Sequence, residues 1–315
     1  MILTEQIRRF LRRLQIRDPG ILAPVEWLVK PRDSRSSSVP MVVIAGPPRS
    51  GTTLLYQTLV HSLQVNCITN LHHFLYRQPY LAHFIGESCL KPYVSDFRSH
   101  HGFIEGLNAP AEANQFWKYW FDQHLDARKP RPKSSRLDYA LSWFRWVYQR
   151  TGRPFVAGWI GHVFYLEEMA RMFPEALFLC VHRDLLSVAY SLWRVRISNG
   201  AVRFWWSLRP PGYQAVESLA PHYQVAWQAQ ALDDLVRRGQ QTAGLRTISV
   251  DYNTFCDGPK GTLELVRAAL RERGSQLEWR QDEDIPKRFD AVVHCRGKNQ
   301  EVQRIADALE HLRHH

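Results

Sequence analysis

Residues 46–55 read GPPRSGTTLL, directly after a short apolar run, MVVIA, at 41–45, and they lead into a stretch, LLYQTLVHSL, that reads as a helix. A strand that breaks at glycine and re-enters a helix aims several backbone N–H groups and the positive end of the helix dipole at one point, where an anion is held. The spacing of Gly46 and Gly51 matches the nucleotide loop G-x-x-x-x-G-K-S/T, and Thr53 supplies its hydroxyl. Thr52, however, stands where the lysine that reaches the β- and γ-phosphates should be, and the cation sits inside the loop as Arg49. The pattern predicts a cradle for a different anion.

A second constellation lies downstream. ALFLCV at 176–181 is a buried-strand pattern, and HRDLLSVAYSLW at 182–193 follows it. A guanidinium at a strand end, such as Arg183, can meet a phosphate bidentately. A third segment, ISVDYNTFCDGPKGTLELV at 248–266, reads as strand, turn and helix.

PPRSGTTLL is similar to the 5′-phosphosulfate loop of the sulfotransferases that use 3′-phosphoadenosine 5′-phosphosulfate, in particular the tyrosylprotein and bacterial branches, whose loop carries arginine. The resemblance implies that Arg49, Ser50, Gly51, Thr52 and Thr53 hold the phosphosulfate, and that Arg183 and Ser191 grip the 3′-phosphate. It extends through 162–184, HVFYLEEMARMFPEALFLCVHRD, and to Tyr252 in the late segment, with Asn253 where the family usually has glutamate. HCRGKNQ at 294–300 offers Arg296 and Lys298 in a place comparable to the family's late donor-binding segment. No metal is implied, because no triphosphate has to be neutralised.

Sulfuryl transfer needs a group to take the proton of the attacking hydroxyl, with positive charge on the departing oxygen. Arg49 suits the second role. For the first, the tyrosylprotein branch has a glutamate about twenty residues after the loop arginine; here Asn70 stands near that place, with His72 and His73 just beyond. Asparagine cannot accept the proton, whereas a neutral imidazole can. RSHHGFIEGLNAPAEANQF at 98–116 resembles the acceptor-side segment of bacterial relatives and offers His100, His101, Glu105 and Glu112. His101, His72 and His73 are the catalytic candidates carried forward. Gly158 aligns where many relatives place a lysine near the transferred group, and Arg153 is a nearby substitute.

These residues need a scaffold. The expected fold is α/β: a P-loop-type parallel β-sheet flanked by helices, with a largely helical acceptor-side elaboration. Residues 1–40 are expected to form an N-terminal amphipathic helix and linker, and 41–315 a single domain. Ile7, Phe10, Leu11 and Leu14 fall on one helical face opposite Arg8, Arg9, Arg12 and Arg13, so peripheral membrane contact through 1–16 stands beside docking on the domain. The aromatic segments at 115–121 and 142–150 place Trp117 with Trp120, and Trp143 with Trp146, on single helix faces and are expected to pack on the sheet. RFWWSLRPPGY at 203–213 reads as irregular and a candidate wall of an acceptor pocket.

The chain has 315 residues, 45% hydrophobic and 23% charged, with a net charge of +11. That suits capture of an anionic donor, but nucleic acid or an anionic membrane would explain it equally; a nucleic-acid reading lacks any recognition motif. The five cysteines contain no C-x-x-C pair, so neither a zinc site nor a disulfide framework is indicated. With no stretch near the ~20 apolar residues of a membrane span, a cytoplasmic enzyme is expected. Lipid, glycan, small phenol and peptide acceptors all stay open. The rival readings are an ATP- or GTP-dependent phosphotransferase and a nucleotide-binding scaffold without turnover.

Overall fold

A computed structural model describes residues 22–31, 38–100, 102–200, 202–242, 244–272, 274–275, 277–280, 285–291 and 299–313. The basic amphipathic segment at 1–16, His101, Arg296 and Lys298 lie outside the described residues. Five strands, β1 (Met41–Ala45), β2 (Asn66–Cys67), β3 (Phe155–Ala157), β4 (Leu177–His182) and β5 (Thr247–Asp251), form one sheet in the order β2-β3-β1-β4-β5. Every neighbouring pair is parallel. The α/β expectation therefore holds.

The apolar runs become central strands because both sheet faces are covered. Alternate residues of β1 and β4 enter different cores: Met41, Val43, Ala45, Phe178 and Cys180 join one, while Val42, Ile44, Leu177, Leu179 and Val181 join the other. The first core is built largely of aromatic rings from the helices Asn114–Phe121 and Ser134–Thr151. Trp117, Trp120 and Trp143 are buried there and Trp146 packs at its margin, as the helical spacing predicts. The second core is covered by the helices Thr52–Ser62 and Pro259–Arg271.

The chain leaves β1 toward β2 on one side and β4 toward β5 on the other, so a crevice opens between the C-terminal ends of β1 and β4. Three adjacent strands release their candidate residues at that edge: the loop after β1, Arg183 after β4 and Tyr252 after β5. Asp184 caps the helix Leu185–Ser198 by accepting from the Ser187 amide at 2.8 Å, which fixes where that helix starts and thus where Ser191 projects. No helix among the described residues is long and apolar enough to cross a membrane.

Candidate active site

The loop folds tightly because its glycines allow it. Gly51 has φ of 102° and precedes a helix with no side-chain cap, so the first amides of Thr52–Ser62 are left for a ligand. A Cβ on Gly46 would lie 3.0 Å from the Val181 carbonyl, so only glycine lets the loop run this close to β4. Arg49 holds φ of 73°, a conformation that is rare outside glycine and costs on the order of 1 kcal/mol or more.

That strained turn places its guanidinium among the groups from the other strands. Arg49 Nε donates to Ser191 Oγ at 3.0 Å. Arg183 donates to the Arg49 carbonyl at 2.8 Å, and its guanidinium lies 4.2 Å from the centre of the Tyr252 ring. The same ring covers Gly51, where a Cβ would approach it to 2.3 Å. Arg49, Ser191, Arg183, Gly51 and Tyr252 thus form one contact network, although they are spread over some 200 positions of the sequence. Burial and then the Arg183 charge lower the proton affinity of Arg49; burial does the same to Arg183. Two crowded cations, uncapped helix amides and the buried, unbonded hydroxyl of Ser50 are the features of a site for a multiply charged anion. Among the described residues, no cluster of His, Cys, Asp or Glu is arranged to hold a metal ion.

A cleft of about 470 Å³ opens over this network, lined by Arg49, Gly51, Thr52, Thr53, Arg183 and Tyr252, with Glu112, Asn114, Trp206 and Ser207 opposite. A second cavity of about 220 Å³ adjoins it, walled by Phe74, Phe103, Ile104, Ala111 and His73. Glu112, Gly102 and Asn114 line both. Gly102 has φ of 91°; a Cβ there would meet Glu112 Oε1 at 2.9 Å and lie 3.8 Å from Thr53 Oγ1. The missing side chain is what brings a carboxylate alongside the anion loop. Burial raises the Glu112 carboxyl to about 8, against the pull of Arg49. A third cavity, of about 450 Å³, shares Asn114, Leu125 and Ser207 with the cleft and is walled by Trp159, Phe204 and Trp205.

The structure separates the histidine candidates. His72 is 3% exposed, its Nδ1 accepts from the Thr69 amide in a capping box, and its ring lies 5.2 Å from Trp143. It lines a different cavity, of about 420 Å³, at the other end of the helix Thr52–Ser62. The structure thus places this candidate base away from the cleft, and burial drives its proton affinity well below the usual value. Arg153 lines that far cavity and not the cleft, so it does not replace the absent lysine. His73 faces the cavity next to Glu112. Asn70 is buried and donates to the carbonyls of Ile104 and Gly106, both at 2.7 Å, tying the acceptor-side segment to the domain. Gly158 lies against the Tyr56 ring, 2.2 Å from where a Cβ would be, which leaves no room for a lysine.

The model of the sulfotransferase family matches residues 40–273. The chain belongs to the sulfotransferase family. Among solved structures, this sulfotransferase is similar to STF9 from Mycobacterium avium, with 15% identity, a TM-score of 0.46 and coverage of 96% of this chain and 73% of that one. It is also similar to STF1 from Mycobacterium tuberculosis, with 16% identity, a TM-score of 0.45 and coverage of 87% and 78%. A third likeness is to the sulfotransferase domain of the Synechococcus olefin synthase, with 16% identity, a TM-score of 0.37 and coverage of 77% of each chain. No curated protein matches the sequence.

Glu112 is one of the four titratable groups that the sequence offers in 98–116, though not one carried forward as base, and Gly102 and Asn114 beside it are not among them. Their signal was present in the glycine, proline and acid spacing of 98–116, but nothing local in that segment ranks one titratable group above another.

Proposed function

We propose that this sulfotransferase moves a sulfuryl group from 3′-phosphoadenosine 5′-phosphosulfate to the hydroxyl of a small, largely apolar acceptor, with Glu112 as general base. The observation that carries the reading is the position of Glu112, shared by the cationic cleft and the adjoining cavity and next to Thr53 across Gly102. The donor supplies an activated sulfuryl group on a phosphate leaving group. Arg49, Ser50, Gly51, Thr52 and Thr53 would hold its phosphosulfate end, and Arg183 and Ser191 its 3′-phosphate.

Glu112 takes the proton of the acceptor hydroxyl as its oxygen attacks sulfur. Arg49 and the first helix amides stabilise the negative charge that collects on the departing bridging oxygen. A carboxyl raised to about 8 is, once deprotonated, a stronger base than an ordinary carboxylate and suits this role. The apolar walls Phe74, Phe103, Ile104 and Ala111 favour a ring or short alkyl chain behind the reacting hydroxyl. Cys67, Cys89, Cys180 and Cys256 are free thiols, which suits the cytoplasm as the proposed compartment.

Calorimetric titration with 3′-phosphoadenosine 5′-phosphate, beside magnesium-ADP, on the wild type and Arg183→Ala tests the donor assignment. Metal-independent binding that is far weaker for ADP and lost in the variant is expected. Equal or better binding of magnesium-ADP would point to a phosphotransferase. Bisphosphate binding without transfer of labelled sulfate to any of a panel of phenols and alcohols would point to a scaffold.

A further inference from the structure

The helix Ala23–Val29 turns a carboxylate inward and large apolar side chains outward. Its one fully buried side chain is Glu26, and Val29 packs partly buried on the core, while Trp27 is 72% exposed, Leu28 74% and Val25 40%. A surface helix normally buries its apolar stripe and solvates its charges. Here the inward carboxylate is firmly held. It accepts from the amides of Tyr80 and Leu81 at 3.2 and 2.8 Å, at the start of the helix Pro79–Cys89, and from the Tyr139 hydroxyl at 2.7 Å. The anchor fixes the orientation of the helix, so Trp27 and Leu28 are presented from a rigid base.

From the end of this helix a run of rings and cations leads away through Tyr139. Lys30, at the end of the helix, lies 4.5 Å over the Tyr139 ring. Tyr139 stacks on Trp120 at 5.0 Å, Trp120 meets Tyr119 at 4.8 Å, and Tyr119 carries the guanidiniums of Arg136 at 4.1 Å and Arg77 at 5.0 Å. None of these three cations forms an ion pair among the described residues. Trp27 and Leu28 line none of the cavities described above; they protrude. A protein partner would need a matching concavity, whereas a bilayer conforms to a protrusion, accepts tryptophan and leucine at its interfacial level and offers phosphates to lysine and arginine. The sequence just before this helix carries Arg8, Arg9, Arg12 and Arg13, which adds charge of the same sign.

We propose that Trp27, Leu28 and the cations Lys30, Arg77 and Arg136 form a docking face for an anionic lipid surface. The proposal is independent of the donor and the acceptor. The test is flotation of the full chain with vesicles of phosphatidylcholine alone or with about 30% phosphatidylserine, at ~0.1 M and ~0.5 M salt. Binding to the anionic vesicles only, weakened by salt, is expected. Trp27→Ala with Leu28→Ala lowers the partition constant about tenfold, and removal of each cation lowers it about fivefold. The far-UV circular dichroism spectrum and thermal midpoint, measured in parallel, stay at the wild-type values and show that the variants fold. A wild type that stays off anionic vesicles, or a double variant that floats like the wild type, overturns the proposal. So does a dimer detected by light scattering that the double variant disperses, because the face would then belong to a second copy.

Discussion

Arg183 donates to the main-chain carbonyl of Arg49 at 2.8 Å, so one cation is bonded to the backbone of the residue that carries the other. The two guanidiniums are thereby fixed relative to each other without an intervening carboxylate. Arg183→Ala removes a charge, a loop contact and the partner of the Tyr252 ring together. Affinity for 3′-phosphoadenosine 5′-phosphate should fall roughly 30-fold or more, read by calorimetry. Arg183→Lys should recover only part of it, since an ammonium cannot reproduce the planar fork.

Glu112→Gln should reduce kcat by about 10²- to 10⁴-fold while leaving affinity for the donor product nearly unchanged. The pH profile separates this role from a structural one. With its carboxyl raised to about 8, the wild-type rate should climb as pH rises toward that value, and the residual rate of the variant should lose that limb. Stability runs the other way. Between the ordinary 4.5 and about 8 the folded state keeps a proton that the unfolded chain releases, so this group makes the protein less stable as pH rises through that window. Glu112→Gln should therefore melt higher than wild type at pH 8 and gain little at pH 4.

Gly158→Ala places a methyl group 2.2 Å from the ring of Tyr56, itself 1% exposed. Overpacking should cost about 1–3 kcal/mol, seen as a lower denaturation midpoint. Gly158→Lys, which restores the residue many relatives carry, should destabilise at least as much and bring no gain in rate. A gain in rate would show that the ring yields.

Asp233 ties the end of β4 to the helix Pro221–Gln241. It accepts from Arg237 at 2.6 Å and pairs with His182 at 2.9 Å, next to Arg183. Burial raises its proton affinity, but the bonds from His182 and Arg237 outweigh it and leave the carboxyl below its usual 3.8. Its contribution is complete above that value and disappears as pH falls below it. Asp233→Asn should lower the melting temperature near neutral pH, with the difference from wild type shrinking as pH falls below 3.8.

The anion loop, Arg183 and Tyr252 were legible in the sequence because each follows a strand whose apolar run marks its own end. The parallel sheet followed from the same runs. The base was less legible. His72 and Glu112 are both titratable groups in suggestive places, and only packing shows that one ring completes a helix cap against Trp143 while the other group looks into two cavities. Gly158 read as a lost cation, yet the contact that accounts for it is with Tyr56, 102 positions earlier, and no local pattern reports it. The aromatic segment at 203–213 divided: Trp205 is buried, Trp206 lines the cleft and Phe204 remains 62% exposed.

The network of Arg49, Arg183 and Tyr252 is drawn from the ends of three strands that are neighbours in the sheet but distant along the chain, with Tyr252 the last of the three to be synthesised. A nascent chain that has built β1 and its loop still lacks the ring that covers Gly51 and flanks Arg183. The network cannot close until β5 has paired with β4. On the proposed function, capture of the donor is thus reserved for molecules whose sheet is finished, and a ligand that binds only then favours completed folding over earlier intermediates by mass action.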